Sequence, residues 1–167
     1  MDLIDRLLGH DAFTTGLLLD IAEGLSDEQL DRAFDIGPGT VRATLAHVIY
    51  NTEVWSALMA GAGLPTERPG VGVSIASLRE RHERASAELA SVGADTAARD
   101  AWDETWTDVL DDPPREKTYG GALGHVLTHS MHHRAQLLNM LRRLGVRDLP
   151  EGDLLSWERA ARGDAPR

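Results

Sequence analysis

Four of the seven histidines in the chain fall within LGHVLTHSMHHRAQ, residues 123–136. An imidazole can ligate a metal, carry a proton near neutral pH, or simply satisfy a hydrogen bond inside a core. Helical spacing separates these uses. An α-helix advances about 100° per residue, so with His125 at zero, His129 falls near 40°, His133 near 80° and His132 near −20°. Ala122, Val126, Leu137, Met140, Leu141 and Leu144 lie between about 60° and 160° on the same wheel and mark the core direction. His129 and His133 therefore face inward, and His125 and His132 stand at the rim.

His129 and His133 are four residues apart, which stacks two imidazoles one turn over the other, the geometry of helical two-histidine metal sites. Burying both without a metal would require several polar partners. A third ligand must come from another helix. His47 is the best candidate because it falls on the apolar stripe Thr44, His47, Asn51, Val54, Leu58. Three neutral imidazoles suit Zn, Ni, Cu or Fe and leave a coordination position for water or substrate.

A lone inward histidine is more often a hydrogen-bonded core residue, and that is the reading for His82. His10, in the seam of the first helix, reads first as core polarity, with a proton relay or substrate contact as the functional alternative. His125 and His132 read as pocket rim or as groups orienting the ligands. Arg134 and Arg143 flank the histidine face and could bind a carboxylate. The candidates for catalytic work are thus His10, His125, His132 and Arg134. Glu53 falls on the outward side of its helix and is not assigned as a ligand. The tryptophans Trp55, Trp102, Trp106 and Trp157 read as core or interface.

The elements that must position these residues follow from periodicity and breakers. Leu3, Leu7, His10, Thr14, Leu17 and Ile21 predict a helix from about Asp2 to Glu23. Ser26 with Gln29 predicts one short helical turn before the Gly37–Pro38–Gly39 break. A second long helix runs from Thr40 to about Ala60, and a third from Ser74 to Gly93. The segment from Ala101 to Thr118 alternates in part, with Trp102, Glu104 and Trp106 on one side and Thr105, Thr107 and Val109 on the other. Asp112, Pro113 and Pro114 could turn it into a short hairpin. A fourth long helix runs from about Ala122 to Leu144, and DLLSWERA adds a short terminal one. Four amphipathic helices around one core predict an all-α chain folded as an up-down four-helix bundle, a fold that builds ligand sites between facing helices.

Composition bounds the chemistry. At 167 residues with no second composition regime, residues 1–167 read as a single domain. Hydrophobic residues at 42% and charged ones at 26% suffice for a core without a structural metal, so any metal reads as functional. Acids outnumber bases 27 to 17, and a net charge of −10 argues against nucleic acid as a partner. No stretch approaches the ~18 apolar residues of a membrane span and the start lacks a signal-peptide pattern, which points to a cytoplasmic protein without a membrane partner. With no cysteine, any sulfur nucleophile must come from outside the chain.

LAHVIYNTEVW on the second long helix, HVLTHSMHHRAQLLNMLRRLG on the fourth and LPEGDLLSW after it together resemble the DinB-like, or DinB/YfiT-like, metalloenzyme family. The likeness runs over nearly the whole chain and is most specific in the histidine-rich helix. It implies a four-helix bundle, often a homodimer, holding a divalent metal, commonly zinc or nickel, through three histidines. Carried over by position, these are His47, His129 and His133. The family often has glycine where this chain has Ala135, a departure that bears on local packing. Some relatives are thiol S-transferases, including mycothiol-dependent isomerases and bacillithiol-using enzymes. The resemblance thus implies a metal-dependent transferase or isomerase using a low-molecular-weight thiol on a small electrophilic substrate. The alternatives are a metal-dependent hydrolase, a non-enzymatic metal-binding stress protein, and a plain dimeric bundle without metal. An apolar stripe of Leu127, Met131 and Leu138, away from the histidines, would suit helix packing, the hairpin or a second subunit.

Overall fold

A short polar side chain accepts a hydrogen bond from the first turn of each helix, which is why the helices start where they do. The computed structural model describes residues 1–65 and 68–163. Asp2 and Asp5 form a reciprocal capping box at α1 (Leu3–Glu23), and Ser26 and Gln29 form another at α2 (Asp27–Leu30). Thr40, Ser74, Thr118 and Asp153 cap α3 (Val41–Met59), α4 (Ile75–Ala98), α5 (Tyr119–Arg143) and α6 (Leu154–Ala161). Each such cap is worth about 1 kcal/mol.

Two boundaries differ from expectation. The third long helix, α4, does not stop at Gly93; that residue is buried inside it, where a Cβ would press into Leu8 of α1. The glycine serves close approach between helices rather than termination. The last long helix, α5, starts at Tyr119 instead of near Ala122, because Thr118 supplies a cap by accepting from Gly121 N.

The described residues are mostly helical, with one two-stranded sheet among them. That sheet is the expected hairpin: β1 (Thr105–Asp108) pairs antiparallel with β2 (Arg115–Thr118), Thr105 opposite Thr118 and Asp108 opposite Arg115. Trp106 and Asp108 point inward and Thr105 and Thr107 outward, the period-two alternation of a half-buried strand. Trp102 and Glu104 precede the strand.

The four long helices contact one another in a ring: α1 packs on α4, α4 on α3, α3 on α5, and α5 back on α1. Their directions follow from the two core clusters. Leu18, Leu45, Leu78 and Leu137 share one, drawn from late α1, early α3, early α4 and late α5. Leu8, Met59, Leu89 and Leu123 share the other, drawn from early α1, late α3, late α4 and early α5. Helices α3 and α4 therefore run in the same direction, and strict up-and-down alternation is not what these contacts show. The physical reason is the connection. The 19-residue α3 is about 28 Å long at 1.5 Å per residue, and segment 60–74, at up to about 50 Å fully extended, is long enough to return along it.

Helix α6 docks through Trp157, whose ring lies where a Cβ on Gly9 would fall, and through the ion pair of Glu158 with Arg6. Among the described residues, no helix is long and apolar enough to cross a membrane.

Candidate metal centre

The antiparallel packing of α3 on α5 brings Thr44 beside Met140 and Trp55 beside His125, and between these two crossings His47 meets His129 and His133. Nε2 of His129 lies 3.2 Å from Nε2 of His47 and 3.2 Å from Nε2 of His133. One ring nitrogen from each of the three falls within 4.8 Å of the others. His133 is buried, and His47 and His129 are half-buried.

The proton inventory shows what these nitrogens suit. Nδ1 of His133 lies 2.8 Å from the Gln136 side-chain oxygen, an acceptor, so Nδ1 carries the hydrogen and Nε2 is bare. A hydrogen on either His47 or His129 Nε2 can then satisfy only one of the two 3.2 Å contacts. The other stays lone pair against lone pair. A single cation satisfies all three nitrogens at once. Tetrahedral bonds of about 2.0–2.1 Å separate neighbouring ligand atoms by about 3.3 Å, close to the 3.2 Å observed. The residues present fit a three-histidine metal site.

Electrostatics favours the ligating form. Burial, followed by repulsion from His133, His47, His125 and His132, holds His129 down to about 4. Burial first, then His133 and Arg68, lowers His47. Burial lowers His133 as well, against the hydrogen bond to Gln136, which raises it. All three imidazoles are thus neutral at pH 7, with lone pairs free to bind.

The remaining sequence candidates divide. His125 stays beside the triad, its ring centroid 4.9 Å from that of Trp55 and 5.6 Å from that of His129. His132 is exposed, and its Nε2 accepts from the Gln136 amide nitrogen at 2.8 Å. His10 does not face the site: it is buried on α1, with Nε2 2.8 Å from the carbonyl of Gly152, so its polarity is spent tying α1 to the segment before α6. Arg134 is not a rim residue either. It lies on the far side of α5 from the histidines, buried in an ion pair with Asp11 and bonded to Ser130 at 3.0 Å. Arg143 pairs with Asp35 at 2.8 Å. His82 is structural as read, with Nε2 2.9 Å from the carbonyl of Ala12. Glu53 is not outward: it is partly buried against Arg81 of α4. Of the apolar stripe, Leu127 and Leu138 pack against the two core clusters and Met131 is exposed.

Sequence reasoning missed Gln136, though its spacing from His132 and His133 carries the signal: at i+4 and i+3 it reaches both rings. It also missed Gly37, whose φ of +55° lets the connector run so close to Gln136 that a Cβ would strike the amide oxygen. No periodicity could show that contact, since it joins residues far apart in the chain.

No curated protein matches the chain. The DinB superfamily profile matches residues 12–137, a stretch that contains His47, His129, His133 and the orienting Gln136. A match over well over half of the 167 residues, with the three convergent imidazoles inside it, places the chain in the DinB superfamily.

Proposed function

We propose that His47, His129 and His133 hold a divalent cation, zinc or nickel, and that the protein is a transferase or isomerase acting with a low-molecular-weight thiol on a small electrophile. The observation that carries the reading is the pair of 3.2 Å Nε2 contacts, which no distribution of imidazole protons satisfies. The closed ring of four long helices supports a four-helix bundle of up-down-down-up order as the scaffold. Bound at the triad, a divalent cation with an open position would supply the Lewis acidity that brings a thiol from its ordinary pKa near 8.5 to thiolate at neutral pH.

The chain's own residues set the rest. Without cysteine it has no sulfur nucleophile of its own, which supports an external thiol. Gln136 holds His133 in the tautomer that exposes Nε2. His125, between Trp55 and His129, and His132, bonded to Gln136, are the two imidazoles beside the triad that remain to hold or move a proton for the substrate. His10 and Arg134 take no part.

Metal analysis of tag-free protein tests the first half. One ion per chain is expected in the wild type, with His133→Ala and His47→Ala each losing it; unchanged content in both variants would sink the site. Turnover of an electrophile with and without added thiol tests the second half. Turnover without thiol would replace the reading with hydrolysis, and none under either condition would leave metal binding alone.

A further inference from the structure

A cavity of about 610 Å3 opens beside the triad, with His47 in its wall. That volume lies in the range of small-molecule sites, about 300–1,000 Å3, and exceeds what a bare thiol group needs. Its charged lining residues are Asp31, Arg42 and Arg68. Arg42 is buried and each of its three nitrogens is engaged: Nε meets Asp31 at 2.8 Å, one terminal nitrogen meets the Val73 carbonyl at 2.8 Å, and the other reaches Asp27 and Asp31. Asp31 is neutralised in the same pairing, and the Arg42 hydrogen bond lowers its pKa.

Arg68 differs. Its guanidinium stands 6.0 Å over the Tyr50 ring, and among the described residues no carboxylate pairs with it. Tyr50 is one helical turn beyond His47 on α3, so their side chains are neighbours about 5–6 Å apart. A cation that no carboxylate of the described residues pairs with therefore lines the same cavity as His47, close enough that, after burial and His133, its repulsion helps lower the His47 pKa, in a chain whose net charge is −10. The rest of the wall is mainly uncharged, with Pro38, Pro69, Val71 and Val73 contributing apolar surface.

We propose that this cavity seats the body of the thiol ligand and that Arg68 binds a carboxylate on it, so that the ligand class is a small thiol carrying a carboxylate. The proposal rests on the thiol reading above. Among the described residues, one guanidinium without a carboxylate partner matches one negative charge; a doubly charged phosphate would call for a second such cation, and Arg42 is already held by Asp31 and Asp27. Tyr50, 6.0 Å away, offers the cation its ring face at cation–π range, and the forked donors of a guanidinium match a carboxylate two-to-two.

The test uses the full chain loaded with cobalt(II), whose absorption reports sulfur entering the coordination sphere. Four probes are titrated: 3-mercaptopropionate and 6-mercaptohexanoate, and the corresponding neutral mercapto-alcohols. At least one acid is expected to bind about tenfold more tightly than its alcohol, the scale of one hydrogen bond to a charged group. Arg68→Gln should abolish that preference without changing alcohol affinity or cobalt content, and Arg68→Lys should keep part of it. Equal binding of acids and alcohols, or a preference that Arg68→Gln leaves intact, overturns the carboxylate site while the thiol reading stands. Failure of all four probes to alter the cobalt spectrum overturns the thiol reading, and the proposal falls with it.

Discussion

The side-chain oxygen of Gln136 lies 2.8 Å from Nδ1 of His133, and the nitrogen of the same amide lies 2.8 Å from Nε2 of His132. One neutral side chain thus fixes the tautomer of the ring that points inward and bonds the ring that points out. It does so within α5, where three- and four-residue spacings place side chains on the same face.

Gln136→Ala should therefore weaken metal binding without abolishing it. Loss of a group that orients a ligand typically costs about 10- to 100-fold in affinity. Competition against a chromophoric chelator at fixed pH reads the change. Gln136→Glu keeps an acceptor oxygen toward Nδ1 and should hold metal better than the alanine variant. Equal affinity of Gln136→Ala and wild type would show that packing alone aims His133.

Gly37→Ala should act on both stability and metal. The φ of +55° is a left-handed conformation, which costs a residue with a Cβ about 1–2 kcal/mol. The added methyl would also displace the Gln136 oxygen. Denaturant unfolding should show the stability loss. In the chelator assay, the affinity losses of Gly37→Ala and Gln136→Ala should fall short of additive when combined, since both act through the same amide. Full additivity would separate the loop from the metal site.

How much of this was legible in the sequence follows from how each feature is encoded. The inward pair His129 and His133 is a local signal, fixed by helical pitch, and the 3.2 Å contact between their Nε2 atoms agrees with the wheel. His47 was legible only as an inward residue on another helix; its contact with His129 needed the packing of α3 on α5. Arg134 shows the limit. On the wheel it stands about 180° from His125, yet it reads as a carboxylate-binding group flanking the histidines, because a buried arginine cannot be inferred until its partner Asp11, on α1, is known to face it. His10 is the core polarity its place in the seam first suggested, but its partner could not be read, being a backbone carbonyl that carries no residue signature. The direction of α4 was hidden because hydrophobic periodicity is the same whichever way a helix runs.

Arg134→Met should destabilise the fold while leaving metal stoichiometry unchanged. The residue is buried and its partner Asp11 equally so. Removing one member of a buried pair leaves an uncompensated charge and typically costs about 3–5 kcal/mol. Replacing both, with Asp11→Leu and Arg134→Met, should recover much of that loss, because an apolar pair of similar volume needs no desolvation of charge. Denaturant unfolding and metal analysis of the soluble fraction distinguish this from a role at the site. Loss of metal with unchanged stability would return Arg134 to the site.

Acid should first weaken the metal-free fold and then release the metal. Burial and the neighbouring rings hold His129 down to about 4, and burial lowers His47 and His133 from the ordinary 6.5. Because the folded-state values lie below the unfolded ones, the unfolded chain takes up protons first as pH falls through about 6.5. Metal-free protein should accordingly lose stability from that point downward, with the loss complete below the lowest folded value. Metal affinity follows a different window. Ligands already neutral at pH 7 face no proton competition there, so affinity should stay nearly flat down to about 6.5. It should then fall as the folded imidazoles titrate, with His129 at about 4 the last to be protonated. Chelator competition and urea unfolding, each measured from neutral pH into the acid range, check the two windows. Affinity that already declines steeply above about 6.5 would mean that the three rings titrate as ordinary exposed histidines.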